Sequence, residues 1–135
     1  MNEQTKENLL KAMHGEAFAY AKYMLFAEHA RKKGLKNLAN LFEKTAKVER
    51  LEHFREEAEL VGLVGTDADN LKDAMKGESY EIETMYPEFA TQASVAGDKA
   101  AADRFNEIRE DERGHFEAYR KALQQLEKTK TRKQK

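Results

Sequence analysis

Apolar side chains recur every three or four residues over most of the chain. Leu9, Met13, Tyr20 and Ala27 fall on one helical stripe, and the same period runs through Phe42 and Thr45 and through Phe105 and Ile108. β-Branched residues are thin, glycine is sparse and the single proline stands at position 87, so long stretches carry no helix breaker. Breaks fall around Lys33-Gly34-Leu35, across Val61 to Asn70, and at Ala96-Gly97-Asp98. The pattern predicts four helices over about 3–33, 35–62, 70–95 and 98–128. Asp69 or Asn70 is the expected N-cap of the third helix, and Gly34 and Gly97 suit positions just past a helix end. Five of the eight residues from Lys128 to Lys135 are basic, which reads as a solvated, frayed helix end rather than a nucleic-acid-binding arm.

Composition narrows the function classes. At 135 residues one helical domain is expected, over 1–127, with 128–135 as a polar tail. The absence of cysteine excludes a disulfide scaffold, a thiolate zinc site, an iron–sulfur cluster and a thiol nucleophile. Twenty-four basic and 25 acidic side chains nearly cancel, so no overall field points to nucleic acid or membrane. No apolar run approaches the ~20 residues of a membrane span. The polar start, Met1 to Lys6, lacks a signal-peptide pattern, and the expected compartment is the cytoplasm.

An internal repeat carries more information. Ala12-Met13-His14-Gly15-Glu16 recurs as Ala74-Met75-Lys76-Gly77-Glu78, an offset of 62. The offset becomes 63 for Phe26/Phe89, Ala30/Ala93, Gly34/Gly97, Phe42/Phe105 and Glu49/Glu112, and returns to 62 at His53/His115. One half therefore has an extra residue near Pro87, and the other has one between Glu49 and His53. Two such helical hairpins packed face to face would make an antiparallel four-helix bundle.

Glu16 lies on the apolar stripe of the first helix, and Glu49 and Glu112 follow apolar residues at helical spacing. Glu16 stands 18 residues before Gly34 and Glu49 stands 15 after it, while Glu78 is 19 before Gly97 and Glu112 is 15 after. Near-equal arms bring each pair to one height in its hairpin. Unpaired carboxylates in such a place cost several kcal/mol each, so they are protonated or held by cations. His53, four after Glu49, and His115, three after Glu112, share their helix faces and favour cations. Glu81, three after Glu78, is a fifth carboxylate. Five carboxylates and two imidazoles suit iron or manganese better than structural zinc. Against two divalent ions the five negatives leave −1, and against two trivalent ions +1, so the site can change oxidation state without stranding a large charge.

Taken singly, an inward Glu is more often an edge residue, and a lone His on an apolar face a satisfied core residue. Joint recurrence in both halves favours a metal site at Glu16, Glu49, His53, Glu78, Glu81, Glu112 and His115. Glu52, Glu56, Glu57 and Glu59 read as a solvated charge run, and Glu83, Glu88, Glu107, Glu110 and Asp111 as surface. Tyr20, Tyr23, Tyr86, Tyr119 and the methionines read as core, with Tyr23 and Tyr86 the candidates to donate hydrogen bonds to ligating carboxylates.

These residues resemble the rubrerythrins, ferritin-like di-iron proteins, over about 5–125. The run Gly77-Glu78-Ser79-Tyr80-Glu81-Ile82-Glu83-Thr84-Met85-Tyr86-Pro87 is similar to the family's G-E-x-x-E…M-Y-P signature, Gly15-Glu16 to its first ligand motif, and Glu112-Arg113-Gly114-His115 to its E-x-x-H. The resemblance implies bridging roles for Glu49 and Glu112, terminal roles for Glu16 and Glu78, and a Glu81 that exchanges with a histidine as iron changes oxidation state. It implies two iron ions, with manganese or a mixed pair as alternatives, and reduction of hydrogen peroxide to water. Two departures stand out. Glu49-Arg50-Leu51-Glu52-His53 places Glu52 where the family has histidine, so either Glu52 is the ligand or a π-bulge delivers His53, which the offset of 62 favours. The family's rubredoxin module, which needs four cysteines, is not expected, so electrons would come from a separate donor such as a rubredoxin.

The ten residues from Val61 to Asn70 reach at most ~33–36 Å, marginal for a return along a 25-residue helix of about 37 Å. A homodimer is therefore expected, with hairpins exchanged between chains or kept within each. Rival readings are an oxygen-using ferroxidase or oxidase at the same site and a metal-free helical interaction module.

Overall fold

A computed structural model describes residues 1–134. Four helices make two antiparallel hairpins, in compact units that divide at Val64. Helix α1 spans Glu3–Lys32. Helix α2 is α-helical over Lys36–Val48, π-helical over Glu49–Phe54 and α-helical again over Arg55–Val61. Helix α3 is α-helical over Asp67–Tyr80, π-helical over Glu81–Met85 and α-helical over Tyr86–Ala96. Helix α4 spans Lys99–Lys133.

Local chemistry explains the ends. Asn2 caps α1 by accepting from the amides of Gln4 and Thr5. Gly34 (φ 75°) and Gly97 (φ 84°) take the left-handed backbone that reverses the chain after α1 and α3. The start of α3 differs from the predicted one. Thr66, extended at ψ 161°, is the N-cap and accepts from the Asp69 amide, so neither Asp69 nor Asn70 fills that role. Both work from inside the helix: Asp69 accepts from the Thr66 hydroxyl at 2.6 Å, and Asn70 pairs with the amide and carbonyl of Gly65. The link is thereby shortened to Gly62–Thr66. At the other end α4 continues past 128 through Lys133, with its basic side chains exposed, and Lys135 of the predicted tail lies outside the described residues.

Each hairpin closes on small residues. Ala27, Ala39 and Ala46 are fully enclosed in the first, which lets the two backbones approach closely. Ile82, Ala90 and Ala102 are the buried residues of the second. Beside these seams sit matching aromatic clusters. Phe26 meets Phe42 edge-on at 5.4 Å with Tyr23 alongside, and Phe89 meets Phe105 at 5.7 Å with Tyr86 alongside. Such pairs add about 0.5–1.5 kcal/mol beyond their burial. The clusters anchor each hairpin about two to three turns from its triad glutamates, so the repeat seen in sequence is a repeat of packing. Among the described residues no large side chain is completely buried, as expected of two-helix units.

Candidate metal centre

The two extra residues of the repeat are both taken up as π-helix. In α2 the wide turn carries His53 back over Glu49, with Nδ1 2.8 Å from Oε2. In α4, where the spacing is three residues and the helix is uninterrupted, His115 Nδ1 stands 2.8 Å from Glu112 Oε2. The first helix of each hairpin supplies the third group: His53 is 3.8 Å from Glu16, and His115 is 3.7 Å from Glu78. Two triads result, Glu16–Glu49–His53 and Glu78–Glu112–His115, each with one ligand atom per residue within 4.8 Å of the others. Glu52 is exposed and outside both triads.

The electrostatics of the triads show carboxylates pressed together without enough positive charge. A proton shared with Glu49 holds the Glu16 carboxyl above the usual range, with desolvation and the charges of Glu49 and Glu57 adding to it. Glu49 is lowered by that same contact and by His53. In the second triad burial pushes Glu78 up to about 7, helped by Glu112, while Glu112 is held low by Glu78 and by His115. Both histidines are raised, chiefly by their hydrogen-bonded glutamates.

One oxygen of Glu78, Oε2, is buried with no hydrogen-bond partner. A buried carboxylate oxygen without a donor is costly, and a cation placed among the triad atoms would satisfy it. The donor set, two carboxylates and one imidazole per triad, fits a first-row divalent metal. The residues present therefore fit a metal pair.

Glu81 is half-buried at the first turn of the π segment in α3, outside the triad atoms. It is raised by burial and then by the Glu112 charge, and its own charge raises Glu78. Tyr86 is raised by burial and by the fields of Glu81, Glu112 and Glu78, so it remains a phenol beside the second triad. Tyr23 holds the matching place in the first hairpin's aromatic cluster. Among the described residues neither tyrosine hydroxyl hydrogen-bonds a carboxylate.

Glu57 corrects the reading of a solvated charge run. Glu52, Glu56 and Glu59 are exposed, but Glu57 is half-buried, its Oε2 has no partner, and its charge acts on Glu16. Its spacing of four after His53 was the available signal, masked by the acidic residues around it.

Metal uptake near pH 6 is expected to release about one proton or more per triad. Glu78 and both histidines have raised values, so their protonated forms persist to higher pH, and only the deprotonated forms ligate. Affinity should therefore fall as pH drops below about 7. Calorimetric titration with Mn(II) in two buffers of different ionisation enthalpy measures the count, and a count of zero would contradict these environments.

Fold and donor set together define an all-helical protein of two repeated hairpins, each with its own carboxylate-rich candidate metal triad. The rubrerythrin family profile matches residues 7–51 and 47–123. The chain is 34% identical over 137 residues to the rubrerythrin of Porphyromonas gingivalis, covering 92% of this chain and 68% of that protein. It is likewise 34% identical over 137 residues to nigerythrin of Nitratidesulfovibrio vulgaris, with 91% and 67% covered. A solved structure of fully reduced, all-ferrous nigerythrin is 35% identical, covering 91% of this chain and 67% of that one, with a TM-score of 0.46. The chain belongs to the rubrerythrin family. Among the described residues no helix is long and apolar enough to cross a membrane.

Proposed function

We propose that the protein is a di-iron peroxidase that reduces hydrogen peroxide to water with electrons from a separate donor protein. The observation that carries this reading is the pair of matching Glu–Glu–His triads. When bound, two ferrous ions supply the two electrons that cleave the O–O bond, and with two protons the products are two waters. The chain's own groups manage charge and protons. Glu16, Glu49, Glu78 and Glu112 hold the metals and offset the positive charge gained on oxidation. Glu81 stands beside the second triad with its carboxyl raised by burial, and Tyr86 keeps its phenolic proton in the same field. Tyr86 is thus a half-buried proton donor beside that triad.

A second copy of the chain is part of the proposal. The link Gly62–Thr66 spans at most about 18 Å, short of the roughly 45 Å length of the 30-residue α1. Phe26, Leu38, Leu41, Phe89 and other large apolar side chains are exposed on the two hairpins. A homodimer that exchanges hairpins covers such surfaces and brings a triad of one chain to a triad of the other.

The test is rapid mixing of the anaerobic Fe(II)-loaded protein with peroxide or with oxygen, on a sample whose mass is measured by light scattering. About two irons per chain, a mass of two chains and much faster oxidation by peroxide are expected. Faster oxidation by oxygen would replace the peroxidase with a ferroxidase or oxidase, and failure to bind iron would leave a helical interaction module. A monomer with full iron content would refute hairpin exchange.

A further inference from the structure

Arg109 lies on α4, one turn before Glu112. Its counterpart in the first hairpin, 63 residues earlier, is Ala46, which is fully enclosed against an uninterrupted α1. In the second hairpin the facing helix is not uninterrupted, because α3 widens into π-helix over Glu81–Met85. The π register gives the Tyr86 amide to the carbonyl of Glu81. Tyr86 would otherwise serve Ile82, four residues back. The next donor in the π register is residue 87, a proline, which has no N–H. The Ile82 carbonyl thus loses both of its helical donors, at a residue only 4% exposed. Arg109 Nε donates to that carbonyl oxygen at 2.7 Å, across the hairpin and 27 residues away in sequence. Among the described residues Arg109 has no carboxylate partner.

We propose that Arg109 is a positioning residue: its bond to Ile82 holds the π-helical register of α3 and through it the placement of Glu81 beside the second triad. The reasoning is one of phase. The extra residue lies between Glu78, in the triad, and Phe89, which anchors the lower part of α3 on Phe105. Without a wide turn, residues on the two sides of the insertion would rotate by about 100° relative to each other. Either the Phe89 anchor or the Glu78 and Glu81 carboxylates would then leave their places. A buried carbonyl with no donor makes the wide turn unfavourable, and Arg109 removes that penalty. The part that concerns Glu81 rests on the two-metal reading given above. The part that concerns the helix register does not.

Two near-isosteric variants separate the donor from the rest of the side chain. In Arg109→Gln the amide nitrogen sits the same number of bonds from the backbone as Arg Nε and still donates. In Arg109→Met the volume is kept and the donor is lost. In the metal-free protein, amide hydrogen exchange at Met85 and Tyr86 is expected to speed up about tenfold or more in Arg109→Met and to stay near wild type in Arg109→Gln. Titration with Mn(II) is expected to show about tenfold weaker uptake at the second triad for Arg109→Met. That loss should vanish on a Glu81→Ala background, because it acts through Glu81. Unchanged exchange in Arg109→Met, or equal acceleration in both variants, would overturn the tether. Altered exchange with the Mn(II) loss persisting on Glu81→Ala would overturn the link to Glu81. If the wild type takes up no Mn(II), the two-metal reading fails with it, and amide exchange alone decides the role of Arg109.

Discussion

Replacing Glu112 by Gln is expected to remove the second triad's share of the metal-dependent rise in melting temperature while leaving the metal-free protein close to wild-type stability. The two halves of that expectation come from different physics. Free metal at 100 times its dissociation constant stabilises the folded state by about 2.7 kcal/mol, a shift of about 10 °C for a chain of this size. A ligating carboxylate that also orients His115 at 2.8 Å is central to that affinity, and its loss should weaken binding about 100-fold or more. The metal-free half follows from signs. Glu112 has a lowered value in the fold, so its contribution is present above the unfolded range near 4.5 and is lost as pH falls. Glu78 is raised to about 7, so its contribution is present below that range and is lost as pH rises toward 7. At neutral pH the first favours folding and the second opposes it. The Gln substitution removes the first and relieves part of the second, because Glu112 is among the causes of the Glu78 shift while burial, the largest of them, remains. A residue with a merely structural role would show the reverse, a lower melting temperature without metal and an unchanged metal increment. Thermal melts of both proteins with and without Mn(II) decide between them.

Much of this was legible in the chain because helical phase is countable. A repeat whose offset slips from 62 to 63 and back must hide one residue in each half, and a helix takes up an extra residue most simply as one wide turn. The four helices and the hairpin breaks were legible for the same reason, with glycines at the turns. The start of α3 was not. Thr66, Asp69 and Asn70 are all good capping residues, and the choice rests on which backbone is extended and which amide is free, neither of which composition records. Glu57 was hidden among neighbours of the same charge. Arg109 was hidden more deeply. Nothing marks an arginine as the partner of a carbonyl until the π register and the missing proline N–H together leave that carbonyl without a donor.

Deletion of Glu52 is expected to leave a folded, metal-binding protein, whereas deletion of Gly114 at the equivalent place in α4 should unfold the second hairpin and destroy its triad. Helix α2 holds His53 2.8 Å from Glu49 across four residues by means of the π segment Glu49–Phe54. Helix α4 reaches the same 2.8 Å between Glu112 and His115 across three residues of uninterrupted α-helix. Removing Glu52 turns the first arrangement into the second. The histidine moves to the spacing of three that α4 already uses, and Ala58, buried against α1, keeps its phase because the residue removed is the one the wide turn absorbs. Removing Gly114 has no wide turn to absorb it. Everything after position 113 would rotate by about 100°, carrying His115 away from Glu112 and turning the partly buried Leu123 and Leu126 out of their face. A misplaced apolar face of that length costs several kcal/mol at about 25 cal/mol per Å². Circular dichroism melts and Mn(II) stoichiometry on the two deletions give opposite results if the π turn is the device that brings His53 to its triad. Equal damage from both deletions would mean that Glu52 itself, and not the turn that contains it, is what the first triad requires.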